Sequence, residues 1–137
     1  MEIVNPSKKY EFSNHLVYSC QYHVIFCPKY RKPILKDDVE RRFKELAYEV
    51  ADKYEFEIIE METMPDHVHM IISCNPRFGI MECVTKIKMT TASVLRSEFK
   101  KLTSTMPNLW TRSAFISTVG SVSLDVVKKY IENQKDV

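Results

Sequence analysis

Two runs of helical periodicity bracket a pair of strands joined by Pro65-Asp66, and that order leaves few folds open. In residues 39–54 the apolar side chains Val39, Phe43, Leu46, Ala47, Val50 and Ala51 recur every three or four positions, which is the spacing of one buried helix face. Asp37 or Asp38 stands where an N-cap belongs. In residues 80–102 a second stripe runs through Ile80, Val84, Ile87, Thr91, Val94 or Leu95, and Phe99. Between these helices, residues 56–64 and 67–74 have strand character around the Pro65-Asp66 turn and predict a hairpin.

The flanks complete the pattern. Residues 15–27 are rich in Val, Tyr, Ile and Phe and read as one long strand ended by Pro28. Residues 103–111 contain Pro107 and predict a loop from which Trp110 packs back, and residues 114–119 predict a strand. Gly120-Ser121 breaks that strand, and a last helix is expected over 124–134. Both glycines, Gly79 and Gly120, fall at element boundaries. The order β-α-β-β-α-β predicts an α+β, ferredoxin-like sandwich: an antiparallel sheet, two helices on one face, and an extra C-terminal helix. One domain over residues 1–137 is expected. Such a fold names no function, so any chemistry must come from the sheet's other face and the added helix.

Bulk properties exclude little. With 45% hydrophobic residues the chain can bury a core, and a net charge of +2 does not announce a nucleic-acid partner. The basic residues are unevenly spread, however, with Lys29, Arg31 and Lys32 after the first strand, Lys86 and Lys88 in one helix, and Lys128 and Lys129 beside Tyr130. Each is either a phosphate contact or part of a solvated face. Cys20, Cys27, Cys74 and Cys83 lack C-x-x-C spacing and follow no secretory signal, so reduced thiols in a cytoplasmic protein are expected. No apolar run approaches the ~20 residues of a membrane span. Residues 1–14 are polar and predict an arm or a short extra strand.

Two constellations carry chemistry. On a strand, His67 and His69 point the same way, opposite to Val68, Met70 and Ile72, and two imidazoles on one face can hold a metal ion or can be core histidines held by hydrogen bonds. On the last helix Leu124, Val127 and Ile131 define the apolar stripe, with Gln134 inside it and Tyr130 at its edge. A glutamine on a buried face needs a partner for its amide; a metal supplies one, and a frayed helix end removes the need. Tyr130 is either a nucleophile or a core aromatic with its hydroxyl at the rim. Tyr22, His23 and Tyr30 are core or rim residues, or platforms for unpaired bases.

Taken together, these residues resemble the single-tyrosine HUH transposases of the smallest bacterial insertion sequences, where HUH denotes His-hydrophobic-His, here His67-Val68-His69. The similarity includes Val17-Tyr18-Ser19-Cys20-Gln21-Tyr22-His23, Cys27-Pro28-Lys29-Tyr30-Arg31, Leu109-Trp110-Thr111 and Lys128-Lys129-Tyr130-Ile131-Glu132-Asn133-Gln134. The resemblance implies that His67, His69 and Gln134 bind a divalent metal, Mg²⁺ in cells and Mn²⁺ in vitro, and that Tyr130 is the nucleophile. It implies single-stranded DNA with hairpin ends as substrate, a covalent 5′-phosphotyrosine intermediate, and rejoining without ATP. It further implies a homodimer with composite active sites, in which Gly120 is the hinge that lets the tyrosine helix serve either subunit. Relatives often carry two glycines there, whereas this chain has Gly120-Ser121. Phosphate contacts are expected from Lys29, Arg31, Lys86, Lys88 and Arg96.

Two alternatives stand beside this reading. His67 and His69, with Cys74 or Asp66, can be read as a zinc site for phosphodiester hydrolysis, which leaves Tyr130 and Gln134 without a role. A non-catalytic regulator that binds hairpin DNA needs none of the four.

Overall fold

The computed structural model describes residues 10–13, 15–119 and 124–137. Its centre is strand β3 (Gln21–Phe26), antiparallel to β5 (His67–Ser73) on one side and to β6 (Phe115–Thr118) on the other. Strand β4 (Glu57–Met64) pairs with β5 through the Pro65-Asp66 turn, giving the order β4-β5-β3-β6. Helices α1 (Asp37–Lys53) and α2 (Ile80–Glu98) cover one face. This is the expected ferredoxin-like arrangement, and α4 (Leu124–Glu132) is the added helix.

The expected single strand over residues 15–27 is two strands. A short β2 (Leu16–Tyr18) pairs with β1 (Glu11–Ser13) in a separate two-stranded ribbon. The division has a pairing cause: Gln21 faces Ser73, where β5 ends. Beyond that point the backbone needs another partner, and β1 supplies it. The expected N-cap at Asp37 or Asp38 is also corrected. The cap position is Lys36, without a side-chain cap. Asp37, Asp38 and Glu40 lie inside the first turn, where acids favour the positive end of the helix dipole.

The second predicted helix likewise divides. Phe99 (φ −121°, ψ 92°) leaves helical geometry after Glu98, and α3 (Lys100–Ser104) begins afresh with Leu102 buried. Gly79 opens α2 at φ 91°, a conformation that a side chain would strain.

Period-two alternation sorts the central strands between two environments. Val24, Phe26, Val68, Met70 and Ile72 join Phe43, Leu46, Val50, Val84, Ile87 and Leu95 in the main core beneath α1 and α2. On the opposite face Ile25 packs with Val127 and Ile131 of α4, with Phe115 and Tyr130 at the margin.

The loop after α3 is fastened across the end of β3. Lys29 N–H donates to Leu109 O (2.8 Å) and Thr111 N–H to Cys27 O (3.0 Å). Trp110 packs edge-on against Phe26 and Phe43, and its indole N–H donates to Thr91 Oγ1 (3.0 Å), whose own hydroxyl donates to Ile87 O (2.7 Å). Thr91→Val preserves the shape but leaves the buried indole N–H without an acceptor. We expect a loss of about 1–3 kcal/mol in denaturant unfolding, with an unchanged m-value.

Candidate active site

The hairpin turn and β5 set out the histidines. His67 Nδ1 lies 2.8 Å from Asp66 Oδ1. An ionised carboxylate only accepts, so Nδ1 carries the proton and Nε2 presents a lone pair. That Nε2 is buried and has no hydrogen-bond partner among the described residues. Asp66 uses its other oxygen, Oδ2, to accept from Arg31 Nε at 2.8 Å.

His69 stands opposite Ile25 of β3 and Glu62 of β4. It is buried, and its Nε2 lies 3.1 Å from His23 Nδ1, with the two rings stacked at 5.3 Å between centroids. Burial, then the neighbouring His23, pushes the His69 pKa down to about 4, against a weaker opposing pull from Glu62. Burial also lowers that of His23. His23 is fully buried on the histidine face, a partner that sequence reading left between core residue and base platform. The signal was present in the alternation of 21–26, which puts His23 and Ile25 on one face, but it becomes useful only once β3 is known to lie beside β5.

Tyr130 and Gln134 meet through a third residue. The Ser113 hydroxyl lies 2.9 Å from the Tyr130 hydroxyl and 3.1 Å from Gln134 Oε1. Ser113 has one proton to give and the amide oxygen can only accept, so Ser113 donates to Gln134 and Tyr130 donates to Ser113. Burial raises the Tyr130 pKa above its ordinary 10.0, with the Ser113 bond pulling the other way and Cys27 adding to the rise. The helix itself ends at Glu132, two residues before the expected boundary. Gln134 stays buried because the turn continues, with its N–H donating to Ile131 O (3.1 Å). Ser113 was missed; nothing in its local sequence marks it.

The expected phosphate contacts have diverse placements. Lys88 Nζ donates to Thr111 O (2.7 Å) and Ser113 O (3.0 Å), so it holds the loop that carries Ser113; burial pushes its pKa down to about 8. Arg96 donates to Met106 O (3.1 Å). Arg31 Nη1 reaches Glu132 Oε2 (3.2 Å) and Ile131 O (3.4 Å) on α4. These three cations bind inside the fold. Lys29 lies over the Tyr30 ring and Lys86 over the Tyr54 ring. Gly120, the expected hinge, lies outside the described residues.

Among the described residues, no three His, Cys, Asp or Glu side chains gather as a metal site. The set expected from sequence has only two such residues, the third being a glutamine. The zinc-hydrolase alternative fails on placement: Cys74 is in the core beneath the helices, and Asp66 is shared between His67 and Arg31. The unpartnered lone pair of His67 Nε2 and the neutral His69 nevertheless suit a metal that takes imidazole nitrogen.

The His69 shift makes a stability statement. Its folded pKa, about 4, is below the ordinary 6.5, so the unfolded chain takes up the proton first. The stabilisation is complete above about 6.5 and is lost as pH falls towards about 4. We expect the Tm difference between wild type and His69→Asn to shrink across that window in a thermal-melt series.

With this geometry in hand, likeness to known proteins is informative. The sequence profile of the family described as "Transposase IS200 like" matches residues 16–134. The chain is 35% identical over 122 residues to the ISDra2 transposase TnpA of Deinococcus radiodurans, covering 88% of this chain and 87% of that one. It is 25% identical over 126 residues to the transposase for insertion sequence element IS200 of Salmonella typhimurium, covering 88% and 83%. A crystal structure of a Deinococcus radiodurans R1 protein described as a transposase superposes with a TM-score of 0.84 at 30% identity, covering 93% of this chain and 99% of that one. A REP-associated tyrosine transposase bound to a REP hairpin shares the fold, with a TM-score of 0.56 at 12% identity, covering 89% and 68%. The chain belongs to the IS200-like transposases, enzymes that cut DNA and transfer its strands.

Proposed function

We propose that this chain cleaves and rejoins single-stranded DNA at hairpin-bearing insertion-sequence ends, with Tyr130 as nucleophile and His67, His69 and Gln134 as ligands of a divalent cation. The observation that carries the reading is the buried Nε2 lone pair of His67, without a partner among the described residues, on the sheet face where α4 packs with Tyr130 at its margin and Ser113 ties Tyr130 to Gln134 in the turn that follows. Mg²⁺ serves in cells and Mn²⁺, more tolerant of nitrogen, in vitro. The bound ion supplies charge withdrawal at the scissile phosphate.

The rest of the chemistry falls to the chain. A phenol of ordinary pKa 10.0 is protonated at neutral pH and burial raises the Tyr130 value further, so attack requires it to lose the proton it now shares with Ser113. The Tyr130 oxygen forms a bond to phosphorus and the bond to the 3′ oxygen breaks; the departing 3′ hydroxyl gains the proton. The phosphotyrosine conserves the phosphodiester bond, so a second 3′ hydroxyl can reverse the step without ATP. Tyr130 and Gln134 must both leave Ser113 to act, which makes Ser113 a holding point for the pair.

Lys29 and Lys86 are the proposed phosphate contacts. The hairpin complex of the REP-associated transposase supports hairpin DNA as partner. The chain acts as a homodimer: β6 is an edge strand, paired with β3 on one side, and can join a second sheet. Gly120 serves as hinge, so that the helix carrying Tyr130 can complete either subunit's site. The whole forms a single transposase domain over residues 1–137, acting in the cytoplasm.

Labelled single-stranded DNA from the ends of the element, mixed with protein and Mn²⁺ and run on a denaturing gel, tests this. We expect a slow covalent band from wild type and none from Tyr130→Phe, which still shifts the hairpin on a native gel. His67→Ala and Gln134→Ala should lower cleavage. Normal cleavage by Tyr130→Phe would remove Tyr130 as nucleophile, and binding without cleavage by wild type would favour a regulator.

A further inference from the structure

We propose that Arg31 is a positioning residue that couples docking of the tyrosine helix to the orientation of His67; the inference rests on the reading of His67 as a metal ligand. A continuous run of polar contacts joins the two. His67 Nδ1–H donates to Asp66 Oδ1 and Arg31 Nε–H donates to Asp66 Oδ2, each at 2.8 Å. From the same guanidinium, Nη1 reaches Glu132 Oε2 at 3.2 Å and Ile131 O at 3.4 Å. Ile131 directly follows Tyr130, and its carbonyl lies in the last turn of α4, where a cation meets the negative end of the helix dipole.

The geometry favours a specific device over an incidental surface pair. Arg31 is mostly buried, with 19% of its side chain exposed. Its planar fork engages Asp66 on one element and α4 on another, which a lysine ammonium cannot match in geometry. Its backbone is held in an unusual state: Tyr30 and Arg31 both have positive φ, 58° and 53°. Consecutive non-glycine residues in the left-handed region persist only where surrounding contacts impose them. Those contacts include Lys29 N–H to Leu109 O and Tyr30 N–H to Val137 O, both 2.8 Å. The segment after β3 is thus tied to the Trp110 loop and to the turn after α4, and it delivers Arg31 between hairpin and helix.

The coupling works in both directions. When α4 is docked, Arg31 holds the plane of the Asp66 carboxylate, and Asp66 holds the His67 ring with Nε2 as its lone-pair nitrogen. When α4 leaves, Arg31 loses two of its acceptors and the carboxylate is less restrained. Partners of this kind typically alter metal affinity by about 10–100-fold when removed, and linkage makes the effect reciprocal. The Asp66-Arg31 pair therefore favours the metal-ready form of His67 when a tyrosine helix is in place.

The test cuts the relay at one end and reads it at the other. In metal-free protein, Asp66→Asn alters no residue of α4, yet hydrogen exchange of amides 127–134 should quicken several-fold while amides of α1 and α2 keep wild-type rates. Conversely, Arg31→Gln alters neither histidine, yet Mn²⁺ affinity, followed by EPR of the free ion without DNA, should fall about 10-fold or more. The double variant should bind Mn²⁺ no more weakly than the weaker single variant, since one relay is cut twice. Should Arg31→Gln not fold, Glu132→Gln, at the exposed end of the relay, is read in the same way. Wild-type exchange over α4 in Asp66→Asn would overturn the proposal. So would wild-type Mn²⁺ affinity in Arg31→Gln where His67→Ala has lost it. If His67→Ala binds Mn²⁺ as wild type does, the metal reading of the histidines fails, and the exchange result alone decides on the latch.

Discussion

Everything in this protein depends on a central strand that is buried on both faces but for different purposes. Towards α1 and α2, β3 presents Val24 and Phe26 to a large apolar core. Towards α4 it presents His23 and Ile25, beside His69 of β5. Strand period fixes this division, because a one-residue slip of β5 against β3 would exchange Met70 with His69 and place imidazoles among the leucines. The cost of burying an unpaired polar ring makes such a slip prohibitive. The same hydrophobic effect that closes the helical core therefore holds the histidines in register on the opposite face.

Positive charge is spent inward to organise that face. Lys88 is a half-buried ammonium satisfied by two carbonyls of the loop that presents Ser113, and Arg31 bridges the hairpin and α4. Removing Lys88 would free the loop that carries Ser113, and removing Arg31 would untie α4 from the hairpin. This explains why a chain of near-neutral net charge is difficult to read for DNA contacts: some of its best-placed cations serve as internal braces.

The sequence made the architecture legible because its signals are long and mutually consistent. Two helical stripes and a hairpin with a Pro-Asp turn admit one sheet order, and the apolar positions of α1 and β5 fell where alternation and helical spacing put them. What escaped was decided by contacts distant in sequence. The split of residues 15–27 follows from where β5 ends, and the break at Phe99 accompanies the burial of Leu102. At the candidate site, type and spacing single out His67, His69, Tyr130 and Gln134. Ser113, His23 and the bridging role of Arg31 are not, since each acts through a partner 17 to 101 residues away. Period and propensity describe local faces; hydrogen-bond partners across the fold are a property of the folded chain.

The attachment of α4 differs in kind from that of α1 and α2. Those helices share a core of more than a dozen buried apolar side chains, whereas among the described side chains α4 sets Val127, Ile131 and Tyr130 against Ile25 and Phe115. The two described aliphatic side chains, Val127 and Ile131, supply about 3–6 kcal/mol of burial, before the entropy of ordering the segment is counted. Polar ties add to this hold, namely Tyr130 and Gln134 to Ser113 and the last turn to Arg31. Polar ties can be exchanged for others of equal quality at modest cost, which an apolar core cannot. Under the proposed function, in which the helix presents Tyr130 to a DNA strand, that balance suits it. The main sheet, secured on its other face, has no need to move with it.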